Sequence, residues 1–178
     1  MNVANQDERR RVILSLGSNI NPIQNIIRAL DLLCQQTGVQ RVSSAWETPA
    51  VGSDGPDFLN AAVWIETRWS ISVIKNEIIR PIETQVRRVR TADKNAPRTI
   101  DIDILVDQEE VLEPALWEYA FLAIPVAELL PDFRNPQTGE PLRQIAARLA
   151  QTTRLKHRPE VIPGKWTPPE DCNRPAML

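Results

Sequence analysis

Two aspartates separated by one isoleucine, Asp101-Ile102-Asp103, come closely after four arginines, Arg87, Arg88, Arg90 and Arg98. In an extended segment side chains alternate, so Asp101 and Asp103 share one face while Ile100, Ile102 and Ile104 take the other. Three isoleucines directed into a core leave the two carboxylates directed out of it, side by side. Like charges so placed repel, and one carboxyl pKa rises unless a cation neutralises them. A hard divalent ion does so, and Mg2+ characteristically takes one or two carboxylates together with phosphate oxygens. Guanidinium forks also suit phosphate oxygens. A carboxylate pair flanked by arginines is therefore what phosphoryl-type transfer needs, namely positioning and neutralisation of charge around phosphorus. Plainer readings stand beside this one. An Asp-x-Asp can be an exposed polar strand face, and Arg87 to Arg90 can be the solvated end of a helix, where cations favour the dipole.

These residues must be carried by a scaffold, and hydrophobic periodicity outlines it. Val12 to Leu16 reads as a buried strand. Asn21 is placed to cap a helix with Pro22 at its first position, and Ile23, Ile26, Ile27, Leu30, Leu33 and Cys34 form its apolar face up to Gly38. Gln40 to Thr48 reads as a second strand and residues 49–56 as a loop rich in Pro, Gly and Asp. Phe58 to Thr67 alternates as a third strand, with Leu59, Ala61, Val63 and Ile65 on one side and Phe58, Asn60, Ala62 and Trp64 on the other. Ser70 can cap a second helix carrying Ile71, Ile74, Ile78 and Ile82, which Pro81 should kink. Thr99 to Val106 is a fourth strand, then a short helix near 126–129 and another over 141–150. The order βαββαβ is that of an α+β, ferredoxin-like sandwich: an antiparallel sheet with helices on one face and the other open for a ligand. Residues 1–150 are expected to form one domain, with a Pro-rich, weakly ordered tail over 151–178.

Composition narrows the function. The chain has 178 residues, with 21 Lys+Arg against 23 Asp+Glu and a formal net charge of -2. No polycationic surface exists to embrace nucleic acid, so an anion site must be local. A ferredoxin-like RNA-binding sheet would present aromatic residues, whereas this one presents Asp101, Asp103 and Asn60. No apolar run reaches the length of a membrane span. Two cysteines, Cys34 and Cys172, are too few for a disulfide framework, and Cys34 reads as a buried thiol in a reducing compartment, which points to the cytoplasm. The single histidine, His157, gives little support to histidine-based metal sites or catalytic triads. The partners expected are small molecules bound by a monomer or weak dimer.

The segments LSLGSNINP (14–22), ETPAVG (47–52), DFLNAAV (57–63), IETQVRRVR (82–90) and APRTIDIDIL (96–105) resemble the successive motifs of the 6-hydroxymethyl-7,8-dihydropterin pyrophosphokinase family of folate biosynthesis. The resemblance spans residues 11–133, and its most diagnostic part is the run Arg98 to Ile104. It implies the ferredoxin-like fold reached above, and transfer of pyrophosphate from ATP to the pterin hydroxymethyl group with two Mg2+ ions. Carried over by position, Asp101 and Asp103 match the metal-binding aspartates, and Arg88, Arg90 and Arg98 the phosphate-contacting arginines. Glu83 matches a glutamate on the nucleotide side. Thr48, Pro49 and Val51 match the loop that packs on the pterin, and Asn60 the asparagine that reads its polar edge. An amide offers both donor and acceptor to such a heterocycle, although Asn60 can equally be a satisfied polar residue within its strand. Phe58 and Phe121 are placed as stacking surfaces.

Departures fall on the nucleotide side. The family's glycine before the arginines is Arg87, the basic residue after them is Thr91, and an aromatic of the next loop is Asn95. The Pro-His-Pro-like segment and the arginine after it are missing between Val111 and Phe121, where Trp117 or Tyr119 could stack on adenine instead. Two readings are compatible with this pattern: an active pyrophosphokinase, or a relative that binds a pterin-like ligand with weak or no transfer from ATP.

Overall fold

The computed structural model describes residues 9–52, 55–89, 96–163, 166, 168, 169 and 172. Arg90, Thr91 and Asn95 lie outside the described residues. Among the described residues seven strands form one sheet: β1 Arg10–Ser18, β2 Gly38–Val42, β3 Trp46–Thr48, β4 Phe58–Thr67, β5 Asp101–Asp107, β6 Glu110–Val111 and β7 Lys156–His157. Their order is β6-β5-β1-β4-β3-β7, with β2 also on β4, and the pairings are antiparallel. The expected α+β class and ferredoxin-like strand order are present.

Helix α1 (Pro22–Gln36) starts and stops where its sequence signals place it. Its start differs in mechanism, because Asn21 sits in the left-handed region at φ 44° and its side chain makes no capping bond. Ser70 does cap the next helix, accepting from the Val73 N–H at 3.3 Å. That helix runs as α2 (Ile71–Val73), a π-helical segment (Ile74–Ile79) and α3 (Arg80–Gln85). Proline at 81 has no N–H to donate, and the wider turn ahead of it lets Arg80 N–H donate to Lys75 O. The chain absorbs the proline by widening the helix, and Ile74, Ile78 and Ile82 stay on one buried stripe.

The segment expected as one strand over 40–48 is two, because residues 43–45 interrupt it. Ser43 turns its hydroxyl to accept from the Ala62 N–H at 2.8 Å. Beyond β5, α5 (Leu142–Thr152) lies where the sequence places a helix, whereas α4 (Ala120–Leu129) begins well before the expected 126. Helix α4 is apolar around its whole circumference, which fits an element covered on several sides.

The sheet buries both faces. On one, Leu14, Leu16, Leu59, Ala61, Val63, Ile65 and Ile102 pack against α1 and the 71–85 helix. On the other, Ile13, Ala62, Leu105 and Val106 pack against α4 and α5. The second face, expected to be open, is open only at the end where Asp101, Asp103, Gly17 and Asn60 lie.

The cysteines give a correction. Cys34 is buried, as its helical position requires, but it is bonded to Cys172 and is not a free thiol. The reason is that the C-terminal segment returns across the α1 face, where Val161, Ile162 and Cys172 join the main core. The bridge spans a sequence separation of 138 residues. Reduction, or Cys172→Ser, should lower stability by about 2–4 kcal/mol, the usual effect of losing a native bridge that closes a long loop. Urea unfolding with and without reductant checks this, and coincident midpoints would mean that the bridge contributes nothing.

Candidate active site

The site is written in the strand register. Gly17 of β1 stands opposite Asp101 of β5 on one side and Asn60 of β4 on the other, and Asn60 stands opposite Trp46 of β3. One row across the sheet thus carries a carboxylate, a glycine and an amide. In the next row Ser15 lies between Asp103 and Ala62. A Cβ on Gly17 would come 3.4 Å from Asn60 Oδ1 and 3.8 Å from the Phe58 ring, so a longer side chain would rise into the space above.

That space is a cavity of about 340 Å³, bounded by Thr48, Pro49, Val51, Phe58 and Asn60 on one side and by Arg98, Asp101 and Asp103 on the other. Phe121 closes it from α4. Nine residues picked out from the sequence therefore meet at one place. Glu83 and Arg88 stand behind it, and Arg90 lies outside the described residues.

Asn60 is nearly buried, at 5% exposure. Its Nδ2 donates to Thr48 Oγ1 at 3.0 Å and, less favourably, to Phe58 O at 3.3 Å. These bonds fix the plane of the amide against the wall. Arg98 is tied down at its backbone, where its N–H donates to Asn19 Oδ1 at 2.7 Å, and its guanidinium lies 5.8 Å from the Phe58 ring centroid. Asn19 also donates to Pro56 O at 3.2 Å, so one side chain joins the arginine's segment to the loop before β4.

The two aspartates differ in environment. Asp101 accepts charge-assisted bonds from both Arg88 and Arg98. Behind it Glu83, 3% exposed, also pairs with Arg88 and accepts from the Ile102 N–H at 3.3 Å. Burial alone would lower the Arg88 pKa, but the charges of Asp101 and Glu83 outweigh it and hold the guanidinium above its ordinary value. No salt bridge reaches Asp103 among the described residues. Asp103 opens onto the cavity, yet the protein around it withdraws enough water to raise its pKa to about 6, helped by the charge of Asp101 and, more weakly, of Glu83 and Glu113 and opposed by Arg88. A carboxylate in that condition gains from a cation. Among the described residues no three potential ligating side chains gather, so a cation here would be completed by oxygens of the substrates, the habit of Mg2+. The donor set fits that ion.

Among the cavity-lining residues that the sequence does not single out, Ser15, Gly17 and Glu113 shape the floor and the polarity of the wall. Ser15 and Gly17 were hidden in an apolar strand, and only the register reveals them. Glu113 sits between Val111 and a 3₁₀ turn (Pro114–Trp117), where its carboxylate accepts from the Ala115 N–H at 3.0 Å; the signal available was its position in the segment lacking the family's histidine. Of the two candidates for stacking on adenine, Tyr119 lines the cavity, 5.4 Å from Phe121 between ring centroids. Trp117 is engaged elsewhere, stacked on Phe133 at 5.7 Å.

The sequence profile of the family described as 7,8-dihydro-6-hydroxymethylpterin-pyrophosphokinase (HPPK) matches residues 13–131. The chain belongs to the HPPK family. It is 28% identical over 177 residues to the 2-amino-4-hydroxy-6-hydroxymethyldihydropteridine pyrophosphokinase of Synechocystis, covering 93% of this chain and 90% of that protein. It is 35% identical over 151 residues to the enzyme of the same name from Methylorubrum extorquens, covering 78% and 93%. The crystal structure of wild-type Plasmodium falciparum HPPK-DHPS with pteroate shares the fold at a TM-score of 0.64 and 10% identity, covering 84% of this chain and 44% of that longer one. No helix among the described residues is long and apolar enough to cross a membrane.

The raised Asp103 pKa carries a stability consequence. Its folded value lies above its unfolded one, near 4, so the folded state holds the extra proton between about pH 4 and 6. Stability contributed by that proton is present at low pH and lost as pH rises through 6. Asp103→Asn should therefore stabilise the metal-free protein at pH 7.5 and have little effect at pH 4, with solvent screening at the cavity limiting the gain to about 1 kcal/mol or less. Thermal unfolding of both proteins at the two pH values checks this, and a larger gain at pH 4 would contradict it.

Proposed function

We infer that this chain transfers the pyrophosphoryl group of ATP to the hydroxymethyl group of 6-hydroxymethyl-7,8-dihydropterin, in folate biosynthesis. One observation carries the reading: a wall suited to a flat heterocycle and a wall suited to phosphates share one cavity floor. Thr48, Pro49 and Val51 would pack on the pterin between Phe58 and Phe121, and Asn60 would read its polar edge. The hydroxymethyl end then points towards Asp101, Asp103 and Arg98. There the pterin oxygen attacks the β-phosphorus, its proton leaves to solvent, and the bond from that phosphorus to the α-phosphate's bridging oxygen breaks to release AMP.

Asp101 and Asp103 would hold Mg2+, in two ions, which supply charge neutralisation between the phosphates. Arg98 would stabilise charge developing on the transferred group, with Arg88 behind it and Arg90 assigned by resemblance alone. Both described guanidinium forks now face Asp101, so once that carboxylate is otherwise neutralised they become available to phosphate oxygens. Glu83 would keep Arg88 oriented as the nucleotide arrives. Tyr119 supplies the surface for adenine at the cavity mouth. Cytoplasm is the compartment that provides ATP, and there the burial of Cys34 and Cys172, 7% and 1% exposed, protects their bridge from exchange with solvent thiols.

A relative that binds the pterin without transferring from ATP is the competing reading. It is favoured by Glu113, an anion on the cavity wall in the segment that lacks the family's histidine. Calorimetry with the pterin, alone and with a non-hydrolysable ATP analogue and Mg2+, beside a turnover assay, separates the two. Pterin binding with Mg2+-dependent AMP release supports the enzyme, whereas pterin binding with neither nucleotide affinity nor AMP release supports the alternative.

Two sets of variants test the roles. Asp101→Ala and Asp103→Ala should abolish Mg2+-dependent turnover and keep the fold, since neither side chain packs in a hydrophobic cluster. Arg98→Ala should lower kcat by about 10²-fold, the usual loss for one preorganised donor, and Arg98→Lys should recover only part of it because a point charge replaces a fork. Steady-state kinetics checks both, and full recovery by lysine would reduce Arg98 to long-range electrostatics.

A further inference from the structure

The family profile ends at residue 131, yet the chain beyond it returns to the cavity's heterocycle wall. Strand β7 lies along the outer side of β3, with Trp46 opposite His157 and Glu47 opposite Lys156. The Arg158 N–H donates to Ala45 O at 2.9 Å, and the Trp46 and His157 rings are 5.0 Å apart. Two arginines flank this short strand. Arg158 ion-pairs with Glu47, the residue before Thr48. Arg154 grips Asp57, the residue before Phe58, through two hydrogen bonds of 2.9 and 2.7 Å. Thr48 and Phe58 stand opposite each other in the β3–β4 register, and both line the cavity.

We propose that residues 154–158 act as a strap, in which Arg154 and Arg158 are positioning residues that hold Thr48 and Phe58 in place and so set the affinity for the pterin without touching it. The inference rests on the reading that this cavity takes the pterin. Strand β3 has three residues, and a strand so short at a sheet edge has little order of its own. Backbone pairing to β7 gives it a second neighbour. The arginines add charge-assisted bonds at the two positions adjoining the wall, Arg154 sharing one guanidinium nitrogen between both Asp57 oxygens. Order established before the ligand arrives is an ordering cost that binding need not bear. An isolated exposed pair contributes little, so the effect belongs to the two arginines together, with the Arg158–Glu47 pair, at 22% and 25% side-chain exposure, the better shielded.

The test uses the full chain and three proteins: the unaltered chain, the double variant Arg154→Gln/Arg158→Gln, and Arg148→Gln, which removes a surface pair between Arg148 of α5 and Glu140. Amide hydrogen exchange at residues 46–48 and 57–60 reads the wall without any ligand. Pterin affinity by fluorescence titration, the KM for ATP and kcat read its use. In the double variant, exchange at β3 should quicken, and pterin affinity should fall roughly 5- to 10-fold, as two modest ion pairs allow. The ATP KM and kcat should hold, and Arg148→Gln should change nothing. Arg154→Lys/Arg158→Lys should restore part of the affinity. Unchanged exchange at β3 overturns the inference whatever the affinity does. So does a proportional loss of pterin affinity, ATP affinity and kcat, which would mean general loosening. Quickened exchange in a protein whose unaltered form binds no pterin sinks the functional reading, and the strap's substrate role with it.

Discussion

The cavity exists because β1 places almost nothing on the face where β5 presents Asp101 and Asp103 and β4 presents Asn60. Gly17 and Ser15 stand between Asp101 and Asn60 and between Asp103 and Ala62, and their small side chains leave the floor of the cavity clear. The alternate residues of the same strands, Leu14, Leu16, Leu59, Ala61 and Ile102, fill the core beneath α1 and the 71–85 helix. A one-residue slip of β5 would bury the carboxylates, and one of β4 would bury Asn60 and expose Leu59, so packing on the helical face enforces the register of the open one. The same hydrophobic burial that stabilises the fold thus sets which side chains meet in the cavity.

Within that register the two carboxylates are driven apart in character. Asp101 is neutralised by two guanidinium groups, one of them anchored through the nearly buried Glu83. Asp103, two residues on, has only the more distant field of Arg88 against burial and three neighbouring negative charges. Neutralising both with arginines would give a quieter surface and a site with no appetite for a cation. Leaving one under-neutralised costs stability when no cation is bound. The asymmetry comes from strand geometry: Arg98 lies three residues before Asp101 and reaches it, while Asp103 projects one row further along β5, towards Glu113.

Local period and local chemistry were legible in the sequence. The alternation of β4, the cap at Ser70 and the shared face of Asp101 and Asp103 stand in the structure as the pattern implies, as does the stripe of α1 except at Ile27, which is exposed while Leu32 is buried in the core. Features decided by partners distant in sequence could not be read. Gly17 is one glycine in an apolar strand until β5 and β4 are laid beside it. The interruption at Ser43 depends on the Ala62 amide of another strand, and Pro81 is accommodated by a widened turn that the chain ahead of it forms. Helix α4 lacks an amphipathic period because it is buried among apolar neighbours, so periodicity does not reveal where it starts. Cys34 reads as an isolated buried thiol, since its partner Cys172 reaches it only after the C-terminal segment has crossed the sheet edge and the α1 face.

That returning segment changes how the sheet is divided between stability and chemistry. Its first part, α4 and α5, covers Ile13, Ala62, Leu105 and Val106, the apolar half of the face that also carries the site. The boundary falls within β5, where Asp103 faces the cavity and Leu105, the next residue on that face, lies under the helices. Without such a cover those residues would form an exposed apolar patch beside two carboxylates, and a flat open sheet would hold neither a dry core nor a shaped pocket. With it, α4 supplies the cavity's far wall through Phe121 and Leu122 while anchoring itself at the other end, where Glu128 accepts from Trp46 Nε1 at 2.6 Å and from the Ser44 N–H at 2.7 Å. One helix therefore runs from the cavity, which Glu113 also lines, to the strand that carries Thr48, and it covers the cavity from the side opposite the sheet.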